Sequence, residues 1–168
     1  MIHISESIRY IGCDDAEMNL FESQYVTPEG MCYNSYVILD EKIAVMDTCD
    51  PRKTHEWLHN LEVELAGRTP DYLVVHHMEP DHSGSIAAFV GRYPNATIVA
   101  SAKAISFMSQ FNEGLNPNSR TIAEGDTLEL GQHTLTFVAA PMVHWPEVMV
   151  SYESTEKVLF SADGFGKF

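Results

Sequence analysis

The chain has 168 residues, of which 45% are hydrophobic, and a formal net charge of −14 at pH 7. This length allows one domain with a substantial core, so we predict a single domain over residues 1–168. The negative charge argues against nucleic acid and anionic membranes as partners, and no apolar run approaches the ~20 residues of a membrane span. The N-terminus lacks the basic region and apolar core of a signal peptide, which favours a cytoplasmic protein.

The chain order of apolar stretches predicts an α/β or α+β fold. Strands are predicted at residues 3–11, 33–39, 42–47, 72–76, 97–100, 121–122, 127–130, 133–140, 148–152 and 157–160. Apolar residues at helical spacing predict helices at residues 52–65, 85–93 and 102–111. Residues 33–47 would form a hairpin around Asp40-Glu41, whereas residues 14–30 are polar and irregular. Strands followed by alternating strand and helix, and then by more strands, indicate mixed sheets covered by helices.

The three cysteines, Cys13, Cys32 and Cys49, lie far apart and form no Cys-x-x-Cys motif. This spacing argues against an iron–sulfur or rubredoxin-type site. We expect reduced thiols, at least partly buried.

The hexapeptide His77-Met78-Glu79-Pro80-Asp81-His82 is the most informative stretch, because it holds four metal-ligand side chains in six residues. It follows the predicted strand 72–76, so the ligands would lie on a loop held by a rigid element. Pro80 biases Glu79 toward an extended conformation, which would point His77 and Glu79 to the same side. Four ligands are too many for one ion that keeps an open position, so the cluster suggests two metals. The alternative is a polar surface loop in which Asp81 caps a helix.

Two later loops place a ligand side chain just past a strand end. His144 follows the predicted strand ending at residue 140, and Asp163 follows the one ending at residue 160. Sites that collect ligands from several strand ends are common in α/β folds. Each residue also has an ordinary alternative, since His144 could be a polar neighbour of Trp145 and Asp163 a turn residue.

These spacings resemble the metallo-β-lactamase-like domain of the flavodiiron proteins, also called A-type flavoproteins. That family's pattern is H-x-E-x-D-H, followed at long intervals by a His, an Asp and a last His. Here His77-x-Glu79-x-Asp81-His82 is followed after 61 residues by His144 and after 18 more by Asp163. Four other stretches also look like the family: Leu20-Phe21-Glu22, Tyr33-Asn34-Ser35-Tyr36, His144-Trp145-Pro146 and Asp163-Gly164-Phe165-Gly166.

The last His of the pattern has no counterpart before Phe168. We therefore expect the N-terminal part of a flavodiiron protein, folded as an αββα sandwich with its C-terminal portion missing. The family's flavodoxin-like domain, which binds FMN, would also be absent.

The resemblance implies which residues hold each metal. One iron would be held by His77, Glu79, His144 and Asp163, and the other by Asp81, His82, Asp163 and the missing His. Asp163 would bridge, with one oxygen on each ion. Carboxylate-rich sites with some imidazole suit iron, although zinc could substitute.

The resemblance also implies the reaction and its partners. The family reduces dioxygen to water or nitric oxide to nitrous oxide with electrons from FMN, which lies across a head-to-tail homodimer interface. A redox donor such as rubredoxin or a flavin reductase would supply the electrons.

Two other functions stay open at this point. A zinc-dependent hydrolase of the same fold usually shows H-x-H-x-D-H, with His where Glu79 stands, and would use a metal-bound hydroxide. The other open function is a non-catalytic domain that mediates only dimerisation or the docking of an electron donor. Around the site, Asp47 could orient a ligand His or cap a turn, and Trp145 could exclude water or pack in the core. The dipole of the helix predicted at residues 85–93 would favour ionised Asp81 and neutral His82.

Overall fold

A computed structural model describes residues 2–165. Strands β1–β14 span Ile8–Tyr10, Cys13–Asp15, Leu20–Phe21, Tyr25–Val26, Met31–Tyr33, Tyr36–Ile38, Ala44–Met46, Tyr72–Val75, Thr97–Ser101, Ser119–Ile122, Thr127–Glu129, Thr134–Ala139, Met149–Glu153 and Val158–Phe160. Helices α1–α4 span Thr54–Leu65, Pro80–Ser83, Ile86–Arg92 and Ala102–Phe111, and a 3₁₀ turn at Pro51–Lys53 leads into α1. Gly166 of the last family-like stretch and the C-terminal Phe168 lie outside the described residues. Within residues 2–165, no helix is long and apolar enough to cross a membrane.

Two sheets form the body of the structure. The larger sheet has the strand order β1-β6-β7-β8-β9-β10. Strands β7 to β10 run parallel to one another, and β6 is antiparallel to both of its neighbours, β1 and β7. The smaller is an antiparallel sheet with the order β11-β12-β13-β14. Because β7, β8 and β9 are parallel, their carboxyl ends meet at one edge of the large sheet.

Alternate residues of the large sheet build two separate cores. In β8, Leu73 and Val75 pack in the cluster that contains Trp57 of α1 and Phe89 of α3. Val74, between them, packs instead in the cluster that contains Phe137 of the small sheet. This alternation follows from the two-residue period of a strand. The described residues therefore form a helix layer, a large sheet and a small sheet, in that order.

The predicted mixed α/β sandwich is confirmed, in three of its four expected layers. Among residues 2–165 no helix covers the outer face of the small sheet, where Tyr152 and Leu159 are exposed. That residues 1–168 form a single domain stays a prediction.

Most of the longer predicted elements are confirmed. The helix predicted at residues 52–65 is α1, which ends at Leu65 because Ala66 adopts a left-handed conformation ahead of Gly67. The predicted hairpin is the β6–β7 pair, with Val37 opposite Val45. The helix predicted at residues 102–111 is α4, capped by Ser101, whose hydroxyl accepts a hydrogen bond from the Ala104 amide.

Three predictions near the N-terminus were wrong. The strand predicted at residues 3–11 is only Ile8–Tyr10, because the Ser5 hydroxyl accepts hydrogen bonds from the amides of Ser7 and Ile8 and turns the chain. Residues 14–30 are not wholly irregular, since part of β2 and all of β3 and β4 lie there. The strand predicted at residues 33–39 is divided between β5, which pairs with β2, and β6, which pairs with β1 and β7.

The buried imidazole of His133 joins the two sheets at the end opposite to the carboxyl ends of β7 and β8. Its Nδ1 lies 2.7 Å from Asp40 Oδ2 in the β6–β7 turn, and its Nε2 lies 3.2 Å from Glu156 Oε1 in the β13–β14 turn. Burial alone would lower the pKa of His133, but hydrogen bonds to these two carboxylates raise it. The folded protein therefore holds a proton on this ring more tightly than the unfolded chain does.

Replacing His133 with Gln should cost stability in a pH-dependent way. Below the unfolded pKa of histidine we expect the variant to lose about 1–2 kcal/mol of unfolding free energy, because a charge-assisted hydrogen bond is lost. The difference should shrink as the pH rises through the raised pKa of His133, while Asp40 and Glu156 stay ionised. Urea unfolding of both proteins at about pH 5.5 and about pH 9 measures this. A difference that grows toward high pH would contradict the assignment.

Candidate metal centre

All six predicted ligand residues meet at the carboxyl end of β8. His77 lies just past that strand, and Glu79 follows in an extended conformation, as predicted from Pro80. Asp81 and His82 lie inside the one-turn helix α2, which was not predicted and in which Pro80 takes the first position. The helix predicted at residues 85–93 is α3, which begins at Ile86 and ends at Arg92. That its dipole favours ionised Asp81 and neutral His82 stays a prediction.

The other two predicted ligand residues lie in loops of the small sheet. His144 lies in the loop between β12 and β13, and Asp163 lies in the turn after β14. His144 is half exposed and Asp163 less so, whereas the residues from the hexapeptide are buried. The site thus lies where the ends of the two sheets come together, with its small-sheet side facing solvent.

The first group of ligand-type atoms consists of His77, Glu79, His144 and Asp163, all within 4.8 Å of one another. Glu79 Oε2 lies 3.0 Å from His77 Nε2 and 2.7 Å from His144 Nε2. The two imidazole Nε2 atoms are 3.3 Å apart, so both rings point to the same place. Asp163 Oδ2 lies 3.5 Å from His77 Nε2 and 3.3 Å from His144 Nε2.

The second group consists of Asp81, His82 and Asp163. His82 Nε2 lies 2.6 Å from Asp163 Oδ1 and 3.6 Å from Asp81 Oδ2. Asp163 is thus the one residue shared by both groups, and it turns a different oxygen to each. This is the geometry expected of a carboxylate between two cations.

The electrostatic field of the site favours positive charge. Burial would lower the pKa of His77, but hydrogen bonds to Glu147 and Glu79 raise it to about 9. Burial would likewise lower the pKa of His82, but its hydrogen bond to Asp163 raises it to about 10. Carboxylates close enough to hold protons on two buried imidazoles will also attract a metal cation.

One buried oxygen supports a cation more directly. Asp81 Oδ1 is inaccessible to solvent and has no hydrogen-bond donor among residues 2–165. Burial raises the pKa of Asp81 to about 6, which leaves the carboxylate largely ionised at neutral pH. A buried ionised oxygen without a partner is costly, and a metal ion would remove that cost.

Glu147 is buried beside the site and was not predicted from the sequence. Its Oε1 lies 2.7 Å from His77 Nδ1 and accepts a hydrogen bond of 2.9 Å from the Met78 amide. A carboxylate on the second ring nitrogen fixes the orientation of the imidazole and leaves Nε2 for a metal. The only sequence signal was its place directly after His144-Trp145-Pro146, which is too little to identify the contact.

The structure corrects the role of Asp47 and clarifies that of Trp145. Asp47 accepts hydrogen bonds from the amide of His76, at 2.7 Å, and pairs with Nδ1 of that ring, at 2.8 Å. It therefore orients a histidine that belongs to neither ligand group. Trp145 packs its ring edge-to-face on His77, with centroids 5.2 Å apart, so it covers one side of that imidazole.

A cavity of about 1020 Å³ opens in front of the site. Its floor includes Glu79, Asp81 and Asp163, and one wall comes from residues 21–30. Burial and a hydrogen bond to Glu79 raise the pKa of Glu22 on that wall. The cavity is large enough for a small substrate together with part of a larger group.

Comparison with known proteins agrees with this fold. The family model described as "ODP family beta lactamase" matches residues 31–168. The anaerobic nitric oxide reductase flavorubredoxin of Pectobacterium atrosepticum is 37% identical over 99% of this chain and 33% of its own length. The chain thus spans about a third of the length of such curated relatives.

Solved structures show the same similarity. The flavodiiron protein from Giardia intestinalis superposes with a TM-score of 0.93 and 30% identity, over 98% of this chain and 40% of that one. Rubredoxin oxygen:oxidoreductase from Desulfovibrio gigas superposes with a TM-score of 0.90 and 30% identity, over 94% of this chain and 40% of that one. The protein belongs to the ODP family of beta-lactamases, and its fold is the metallo-β-lactamase-like core found in flavodiiron proteins.

Proposed function

We propose that this chain holds the two-iron centre of an oxidoreductase that reduces dioxygen to water, nitric oxide to nitrous oxide, or both. His77, Glu79, His144 and Asp163 would hold one ion, and Asp81, His82 and Asp163 the other. The observation that carries the proposal is Asp163, which turns one oxygen toward each ligand group. The unpartnered Asp81 Oδ1 and the convergence of the ligand atoms fit cations at both places.

The ligand types favour iron over zinc. Carboxylate oxygens make up half of the first group, Glu79 and Asp163, and most of the second, Asp81 and Asp163. Hard oxygen donors with negative charge stabilise higher oxidation states, whereas softer sets of Cys and His favour zinc. Glu79 stands where the zinc hydrolases of this fold usually have His, so the hydrolase alternative is disfavoured by this residue.

The relatives support the choice of substrates. One relative is named a nitric oxide reductase, and one solved structure is named a rubredoxin oxygen:oxidoreductase. When bound, paired iron ions supply electrons and two adjacent binding points for a small molecule. The balanced reactions consume four electrons and four protons per dioxygen, or two electrons and two protons per pair of nitric oxide molecules.

The residues of this chain would position and shield that chemistry. Glu147 holds the His77 ring so that Nε2 points at the first ion position, and Trp145 covers the ring from one side. The cavity, which has one wall from residues 21–30, leaves space in front of the site, where an electron-carrying group can approach. We propose FMN in a homodimer as that group, reduced by rubredoxin or a flavin reductase.

Activity is tested on iron-loaded protein with photochemically reduced FMN as the electron source. We expect nitrous oxide from nitric oxide, or dioxygen consumption without accumulating peroxide, above a blank without protein. His144→Ala should lose about 100-fold or more, whereas Glu129→Gln on the exposed edge of β11 should retain the rate. Turnover of neither gas, together with zinc-dependent hydrolysis of a thioester or lactam, would favour the hydrolase.

Metal content tests the shared role of Asp163. We expect about two iron ions per chain in the wild type, about one in His144→Ala and close to none in Asp163→Ala, because only Asp163 serves both groups. Elemental analysis by mass spectrometry after anaerobic loading gives these ratios. Asp126→Ala, in an exposed turn, is the matched control. Two ions retained in Asp163→Ala would contradict the bridging role.

Glu147→Gln should weaken metal binding without removing a ligand. Gln keeps the size of the side chain but not the charge that stabilises the His77 ring, so we expect about 10–100-fold lower affinity. Competition with a chromophoric chelator measures the change, with Glu129→Gln as the control. Unchanged affinity would show that the contact with His77 serves only the packing of the fold.

A further inference from the structure

The buried residue directly before the hexapeptide, His76, uses all of its polar groups in contacts with the two sheets. Its amide donates to Asp47 Oδ1 at 2.7 Å, and its Nδ1 lies 2.8 Å from Asp47 Oδ2. Its Nε2 lies 2.8 Å from the Ser151 hydroxyl, and its carbonyl accepts a hydrogen bond of 3.0 Å from the Met149 amide. His76 is therefore attached to the end of β7 on one side and to β13 on the other.

Both contacts with β13 lie beside a strand that leads to a candidate ligand. The carbonyl bond reaches Met149, which pairs with the last residue of β12, and the loop after β12 holds His144. The ring contact reaches Ser151, which pairs with the last residue of β14, and the turn after β14 holds Asp163. Through β13, His76 thus connects the hexapeptide with the two strands that carry the small-sheet ligands.

Asp47, on the other side of His76, has an uncommon backbone conformation. Its φ is +56°, in the left-handed region that favours glycine. Its amide donates to the Val74 carbonyl at 2.8 Å, and its own carbonyl accepts a hydrogen bond of 3.0 Å from the Ser35 hydroxyl. Such a conformation is costly and persists only where the surroundings hold it. Here it directs the carboxylate to the amide and the ring of His76, so this side of the contact is rigid.

We propose that His76 is a positioning residue, which sets the distance between the ligands of the large sheet and those of the small sheet. The inference rests on the two-ion centre proposed above, because each ion position there takes ligands from both sheets. His76 holds no ion itself, since Asp47 and Ser151 engage its two ring nitrogens. Ligands that are already held at the right separation need less rearrangement when an ion binds, so His76 raises the affinity for both ions.

Removing the Ser151 hydroxyl tests this role and leaves every proposed ligand in place. We expect Ser151→Ala to bind ferrous iron about 10-fold more weakly without oxygen, because the His76 ring loses its contact with β13. Ser85→Ala, which should keep the wild-type affinity, is the matched control. It also loses one buried hydroxyl, but that hydroxyl contacts Thr54 and Cys49 and no ligand. Competition with a chromophoric chelator measures all three affinities.

Two further measurements separate positioning from a role in stability alone. Urea unfolding of the metal-free proteins gives the stability that each variant loses, and such a loss does not weaken metal binding while the protein stays fully folded. His76→Asn, which lacks the ring that contacts Ser151, should also bind iron more weakly. The double variant should bind no more weakly than His76→Asn alone, because both changes break the same contact. Additive losses would contradict the shared contact.

The outcomes also separate this inference from the two-ion centre itself. If the wild type binds two ferrous ions and Ser151→Ala binds them with the same affinity, the positioning role of His76 is overturned and the two-ion centre stands. If the wild type binds fewer than two ions, the two-ion centre is overturned, and this inference with it.

Discussion

The structure depends on buried charge that must be compensated where the ends of two sheets meet. Four ionisable side chains of the hexapeptide are almost fully buried, and Asp163 reaches them from the small sheet. Burying such groups is costly unless they are paired, so each carboxylate needs an imidazole proton or a cation nearby. Asp163 pairs with His82 and His77, although it is distant from them in the chain. The topology of the two sheets therefore brings these charges together.

Much of the fold and most of the positions of the candidate ligands could be predicted from the sequence, because the signals are local. Pro80 restricts Glu79 to an extended conformation, and the alternation of an extended segment then brings His77 and Glu79 to one side. The apolar spacing in α1 and the Ser101 cap of α4 define those helices from neighbouring residues alone. The positions of His144 and Asp163 were predictable in part, since each follows a strand that the pattern already indicated.

What could not be predicted depends on contacts between distant residues. β2 exists because Asp14 pairs with Cys32 across a long loop, and no local pattern marks so short a strand. Asp47 pairs with His76 and not with a candidate ligand histidine, because Asp47 and His76 directly follow the neighbouring parallel strands β7 and β8. In the sequence, Glu147 is an ordinary polar residue of a loop. Its contact with His77 exists only in the folded structure, so its role could not be predicted from the sequence.

Metal binding at this site would be linked to the packing of the two sheets. The backbone carbonyl of His76 accepts a hydrogen bond of 3.0 Å from the Met149 amide, and its ring lies 2.8 Å from the Ser151 hydroxyl, so the two sheets are already joined beside the site. His144 and Asp163 come from the small sheet, whereas the other ligands come from the large one. A cation held by both sets would therefore tie the sheets together a second time, and its binding free energy would stabilise the packed sandwich over the unfolded chain.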